Sequence, residues 1–201
     1  MSISTYAEAK AAVANRLRRA DTASFIDDWF TLAETDIYRR LRTEDMETAF
    51  STAISGGVIA LPTSYIDLKF AYVNSNPVRR LSRKTAAWIY EKYPTRASDG
   101  LPKVIAREGS NFIFGPYPDS AYTVSGVYYK NLGALSASAH ALFTSNPDVY
   151  VYGALTMAVR DLKDDKGIAR WTPLYDQAIL SAQVTSDRED YSGGGLEMVA
   201  S

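Results

Sequence analysis

Apolar residues recur along this chain at two different periods, and the places where the period changes divide it into parts. Ile26, Phe30, Ala33, Ile37 and Leu41 fall three or four positions apart, which sets them on one face of a helix. Ser24 with Asp27 reads as the capping box that starts it. Upstream, Thr5 with Glu8 forms the same box ahead of an alanine-rich run to Arg19, so a first helix is predicted there. At Met46 the period shortens to two. Thr48, Phe50, Thr52 and Ile54 alternate, Gly56-Gly57 supply a turn and 58–61 resume an extended run, a pattern that predicts a hairpin closed by Pro62.

Further strands are predicted at 68–73 and 78–81, with turn chemistry from Asn74 to Pro77 between them. A short helix at 82–90, carrying Trp88 and Ile89, follows. From Lys103 the pattern gives three more strands, with Gly109-Ser110 as a tight turn and 115–119 as a rigid connection. Asn146 then caps a helix with Pro147 in its first position, whose apolar face is Val151, Leu155, Ala158 and Leu162 and whose end is Lys166-Gly167. A last helix reaches about Val184 and either starts near Thr172 or kinks there, because Pro173 cannot sit inside a helix without cost. Ile37, Leu41, Leu155 and Leu162 are expected to be buried between the helices.

This order predicts an α+β fold. A helical bundle made of 1–45 and 145–185 carries an inserted antiparallel β-rich lobe, 46–131, and 186–201 forms an extended tail. The tail contains Gly193, Gly194 and Gly195 with neither a Lys-Ser/Thr pair nor a helix after them, which makes it a linker rather than a phosphate loop.

Composition narrows the chemistry more than the fold. The chain has 201 residues, enough for a sizeable core, and no cysteine, which excludes disulfides, zinc thiolate sites, iron–sulfur clusters and thiol nucleophiles. The 22 Lys plus Arg against 23 Asp plus Glu give no overall pull toward nucleic acid or an anionic membrane, so any basic surface is local. No stretch approaches the roughly 18 apolar residues that span a bilayer, and MSISTYAEAK lacks the features of a signal peptide, so a soluble chain made in a cytoplasm is expected. The 14 tyrosines combine apolar area with a hydroxyl, which suits partly wet interfaces.

Catalytic candidates are few. His140 is the only histidine and has no Gly-x-Ser-x-Gly elbow beside it. Asp161, Asp164 and Asp165 resemble a divalent metal site, but with Lys163 and Lys166 among them they read as a solvated helix end. Arg16, Arg18, Arg19, Arg39, Arg40 and Arg42 cluster where the first two helices end. They can meet DNA phosphates or an acidic partner, and equally complement the helix dipole and cover apolar surface. A metal-dependent hydrolase or nuclease, or a small DNA-binding module, are therefore the alternatives to a structural role.

A set of short signatures in fixed order decides among these. Leu61-Pro62-x-x-Tyr65 follows the Gly-Gly turn, then come 77–81, Gly100-x-Pro102, the run 114–119 and Val127-Tyr128-Tyr129. Asn146-Pro147-Asp148-Val149-Tyr150-x-Tyr152-Gly153-Ala154-Leu155 and Trp171-x-x-x-Tyr175 complete the set. Over 22–184 this order resembles the tailed-bacteriophage head-to-tail adaptor (connector) family. Pro173 departs from that pattern, and 192–201 has no counterpart in it.

The resemblance implies a virion protein without catalytic, metal or cofactor sites, assembled in the host cytoplasm. It implies a twelve-fold ring of the chain with itself, docked between the portal and a tail or nozzle protein and touching passing DNA only non-specifically. A ring needs two complementary surfaces on every subunit, which Tyr117, Tyr122, Tyr128, Tyr129, Tyr150 and Tyr152 are candidates to supply. Tyr128 and Tyr129 must face opposite ways if they share a strand. Tyr191, Leu196, Met198 and Val199 are expected to anchor the tail on the portal or a neighbouring copy, with Arg39, Arg40 and Arg42 as further partner-binding candidates.

Overall fold

The computed structural model describes residues 3–19, 24–95 and 100–191. The chain is α+β and separates into two compact units, Met1–Met46 with Leu132–Ser201, and Glu47–Asn131.

The first unit is helical. Helix α1, Tyr6–Leu17, begins at the Thr5/Glu8 capping box and stops where Arg18 turns left-handed at φ 52°. Helix α2, Ile26–Arg40, buries Ile26, Phe30, Ala33 and Ile37, and Leu41 just beyond it, as the three-to-four spacing predicts. Its cap differs from the expected one. Phe25 occupies that position with no side-chain hydrogen bond, so Ser24 does not close a capping box. A 3-10 turn, Glu44–Met46, ends this segment.

After a short helix α4, Ala141–Ser145, which the pattern did not signal, helix α5 spans Pro147–Asp161 with Pro147 in its first turn. It is buried on most sides, and α1, α2, α4 and the helix that follows it, α6 (Asp165–Tyr191), all pack on it. Gly153 permits the closest approach, since a Cβ there would lie 3.1 Å from both Ala33 Cβ and the Tyr175 ring. Lys163, at φ 54°, turns the chain into α6, Asp165–Tyr191.

Three expectations fail around this turn. Lys166-Gly167 lies in the first turn of α6 instead of ending α5. Gly167 is there for packing, because a Cβ would come 2.6 Å from Val159 Cγ1. Leu162, expected in the core, is half-buried at the α5 cap. Helix α6 starts at Asp165 and runs through Pro173 and past Val184. Proline removes the donor that Ala169 C=O would receive, but Ala169 is exposed and water can serve that carbonyl. Residues 186–191 are thus helical where an extended tail was expected, and 192–201 lie outside the described residues.

The second unit contains two sheets. In the first, β1 (Glu47–Ala53), β8 (Thr123–Lys130), β3 (Tyr65–Val73) and β4 (Arg79–Arg80) lie in that order, all antiparallel. The second has the order β2 (Val58–Ala60), β7 (Asn111–Gly115), β6 (Val104–Glu108), β5 (Ser82–Arg83). Ile59, Leu68, Val73, Ile105, Phe112, Phe114, Val124 and Tyr128 form a single apolar core drawn from both sheets. The opposite face of the second sheet, Val104, Ala106 and Ile113, is covered by helix α3, Ala86–Lys92, through Ile89.

Two expectations are corrected here. β1 and β2 do not form a hairpin: only the single bridge Ser55↔Val58 joins them, and each strand enters a different sheet. Gly57, at φ 77°, has the Tyr117 ring against it, and a Cβ would sit 2.2 Å from that ring. The lobe is also not wholly antiparallel, because β5 pairs parallel with β6. The chain between them carries α3 and is long enough for a crossover. β5 accordingly takes the residues expected to begin the helix, and Thr85 caps α3 in their place.

Candidate assembly surfaces

The arginines at the end of α2 divide by partner. Arg40 pairs with Asp176 at 2.7 Å and Asp36 at 3.5 Å, and its guanidinium lies over the Tyr175 ring at 5.2 Å. Tyr175 in turn donates to Asp36 at 2.8 Å, and burial together with that carboxylate pushes its phenol pKa up, so it stays a neutral donor. Arg42 donates from its guanidinium to Tyr38 C=O at 2.9 Å, while its backbone exchanges hydrogen bonds with the Gln183 amide at 2.9 and 3.0 Å. The Glu44 N–H donates to Ser186 Oγ at 2.8 Å. These contacts fasten the end of α2 to α6. Arg39 stays exposed, with no ion pair among the described residues. At the end of α1 the Arg16 guanidinium donates to Ala12 C=O at 3.0 Å and so serves the helix terminus, while Arg18 is the left-handed cap through its backbone N–H to Ala14 C=O.

His140 sits in a phenol cluster. Its Nε2 lies 3.4 Å from the Tyr38 hydroxyl and 3.5 Å from the Tyr150 hydroxyl, and its Nδ1 is buried without a hydrogen-bond partner. Burial lowers the imidazole pKa, and burial raises the Tyr38 phenol to about 12, which keeps both groups neutral. No serine or carboxylate completes a relay at that ring among the described contacts. Nearby, Glu34 accepts the Leu135 N–H at 2.8 Å, and burial raises its carboxyl pKa.

The three aspartates near the α5–α6 turn have other engagements. Asp161 accepts the Trp29 indole N–H at 3.0 Å, Asp164 packs against Gly167, and Asp165 opens α6. Among the described residues no three His, Asp or Glu side chains come together as a metal site.

The interface-grade tyrosines are more committed than the sequence suggests. Tyr128 and Tyr150 are core residues, Tyr152 stacks on Trp171 at 6.0 Å, and Tyr122 donates to Asp119 at 2.7 Å. Tyr128 is buried and Tyr129 half-buried, in keeping with their alternation along β8. Tyr191 is the last residue of α6, and Leu196, Met198 and Val199 lie outside the described residues.

An apolar stripe was missed instead. Helix α6 buries Tyr175, Ala178, Ile179 and Ala182, yet exposes Leu180 at 64% and Val184 at 37%, one turn apart on the opposite face with Pro173. Aliphatic residues on two opposed faces of one helix are the signal that marks it in the sequence.

Helix α6 thus has apolar residues on both faces, and side-chain ties set the helix ends. The model of one protein family, the SU10 adaptor protein, matches residues 4–198. The chain belongs to that family. Its members are phage head-to-tail adaptors, and this adaptor matches them past both ends of the 22–184 stretch on which the sequence resemblance rested. Residues 192–198, expected to lack a counterpart, fall within the match, and Pro173 lies in an unbroken helix. No curated protein matches the chain. No helix among the described residues is long and apolar enough to cross a membrane, in keeping with a virion structural component.

Proposed function

We propose that this adaptor is a non-enzymatic virion protein that closes into a twelve-fold ring between the portal and the tail or nozzle, extending the DNA channel. The helices form a bundle that is the structural base of the ring, and the β-rich unit is a lobe inserted into it. Assembly takes place in the host cytoplasm, and contact with passing DNA is non-specific. Partner contacts run through the end of α6 and the residues after it, Tyr191, Leu196, Met198 and Val199, with Arg39 exposed beside the more internally paired Arg40 and Arg42.

The observation that carries this reading is the family match over 4–198. The exposed Leu180 and Val184 support it, since a ring subunit needs apolar surface beyond its own core. The test is the mass of the purified full chain, alone and with a portal protein. A monomer or weak associate alone and a closed ring with portal are expected. Absence of any ring with portal would reject the proposal.

A further inference from the structure

One cleft of the helical unit gathers several carboxylates on its lining. It has a volume of about 570 Å³ and lies among the 3-10 turn, the α4–α5 junction and the last turns of α6. Glu44, Asp45 and Glu189 line it, and no Lys, Arg or His does. Arg42, next to Thr43 in sequence, is directed to Tyr38 C=O instead. Carboxylates gathered on one lining mark an electrostatic preference but not yet a site.

Two further features point to a ligand. Thr43 lines the same cleft and is 3% exposed, yet its hydroxyl has no hydrogen-bond partner. Buried hydroxyls are nearly always paired, so this one lacks a donor or acceptor that a bound group can supply. Asn146, also on the lining, is the N-cap of α5 but makes no capping hydrogen bond with its side chain, which leaves its carboxamide to the cleft.

We infer that this cleft binds an arginine side chain presented by a partner protein. The lining offers carboxylate, hydroxyl and amide oxygens spread over one opening. A planar guanidinium carries five donors and no acceptor, and it matches such a set better than a compact ion would. A bare metal is disfavoured by the missing three-ligand cluster among the described residues. The chain's own last segment, 192–201, contains no Lys or Arg and cannot supply the cation. That the partner is another virion protein rests on the adaptor reading; the recognition of a guanidinium does not.

The test uses the full chain and a tri-arginine amide peptide, followed by NMR. Saturable shifts are expected at the backbone amides of Ser145, Asn146, Thr185 and Ser186, weakening with salt. The tri-citrulline peptide, equal in shape and uncharged, should give none. Glu44→Gln with Glu189→Gln should weaken binding at least about tenfold. Asp45 is left intact because its charge acts on His140. Thr43→Val should weaken binding a few-fold and gives a second reading if the double variant folds poorly. Shifts absent from the cleft, or equal affinity in the variants, would overturn the inference. So would self-association of the chain that the double variant abolishes, since it would assign the cleft to a second copy. The assay contains no portal, so its failure leaves the ring proposal standing.

Discussion

The two units hold their elements together by different chemistry. In the β unit backbone ladders that any sequence of suitable pattern can form join β1 to β8, β8 to β3 and β6 to β7, and side-chain ties such as Lys69 to Glu47 and Arg83 to Asp67 only add to them. In the helical unit the backbone bonds are spent inside each helix, so every polar tie between helices has to come from a side chain. Tyr6 and Lys10 to Asp27, Arg40 to Asp176, Tyr175 to Asp36, Gln183 to the Arg42 backbone, Ser186 to Glu44, Glu34 to Leu135 and Trp29 to Asp161 are among the side-chain ties of this unit. The buried polar residues follow the same division. Glu34, Thr43, Thr156 and Ser186 belong to the helical unit, against Ser125 alone among the described residues of the β unit. A helical unit can therefore be retuned residue by residue, whereas a sheet is committed by its register.

The largest effects should come from the cores, where the two units are expected to behave alike. Phe114, fully buried in the β unit, should cost about 3–5 kcal/mol on replacement by alanine. Hydrogen exchange should locate the loss in the β6 and β7 amides. Leu155→Ala should cost about 2–5 kcal/mol, read in the α2, α5 and α6 amides. If either variant loosened both sets of amides equally, the separation into two cores would be wrong.

What the sequence made legible follows the same line. Periodicity found α1, α2, α5 and the strands β6 to β8, because burial of one face is written locally. It could not find strand partners. Gly56-Gly57 looks like a hairpin turn, but whether β1 and β2 pair depends on where β7 and β8 lie, and those strands arrive dozens of residues later. The parallel β5–β6 pair was invisible for the same reason. Among candidate site residues, helix-end arginines were recognisable as a class, but that Arg40 and Arg42 fasten α2 to α6 depends on Asp176 and Gln183 far along the chain.

A smaller effect tests the division directly. Gln183→Ala removes a reciprocal pair of bonds to the Arg42 backbone and should destabilise the helical unit by about 0.5–1.5 kcal/mol. Ser51→Ala removes the hydroxyl that accepts from Ser125 Oγ on an exposed stretch of β1, where the ladder remains, and should change little. Chemical denaturation of both variants makes the comparison. Equal losses would erase the distinction.

Titration gives a further contrast, because Glu34 and His140, whose pKa values burial shifts, are both in the helical unit. Burial lowers the His140 pKa from 6.5, so below about that pH the unfolded chain takes up a proton that the folded chain resists. Stability should fall as pH drops from there and level off once the folded imidazole is protonated, with Asp45 softening the loss. Glu34 works in the other direction. Its folded pKa is raised above 4.5, so its burial is costless below that value and unfavourable as pH rises through the folded pKa. Glu34→Gln keeps an oxygen for the Leu135 N–H and should stabilise the unit at pH 7 but not at pH 4. A gain independent of pH would show that charge is not the reason.

The smallest expected effect on folding is at Leu180 and Val184. Both point away from the α6 core, so Leu180→Ser with Val184→Ser should leave the melting behaviour within about 0.5 kcal/mol of the parent. In the proposed ring the same change should be felt strongly, because apolar surface that costs nothing to a lone subunit is what a neighbour would cover. Sedimentation with portal separates the outcomes. Unchanged stability with lost ring formation places the stripe in an interface between subunits or with the portal. Unchanged ring formation removes it from the assembly surfaces. A marked loss of stability would mean that Leu180 and Val184 are held by the subunit itself, so that α6 has no free face.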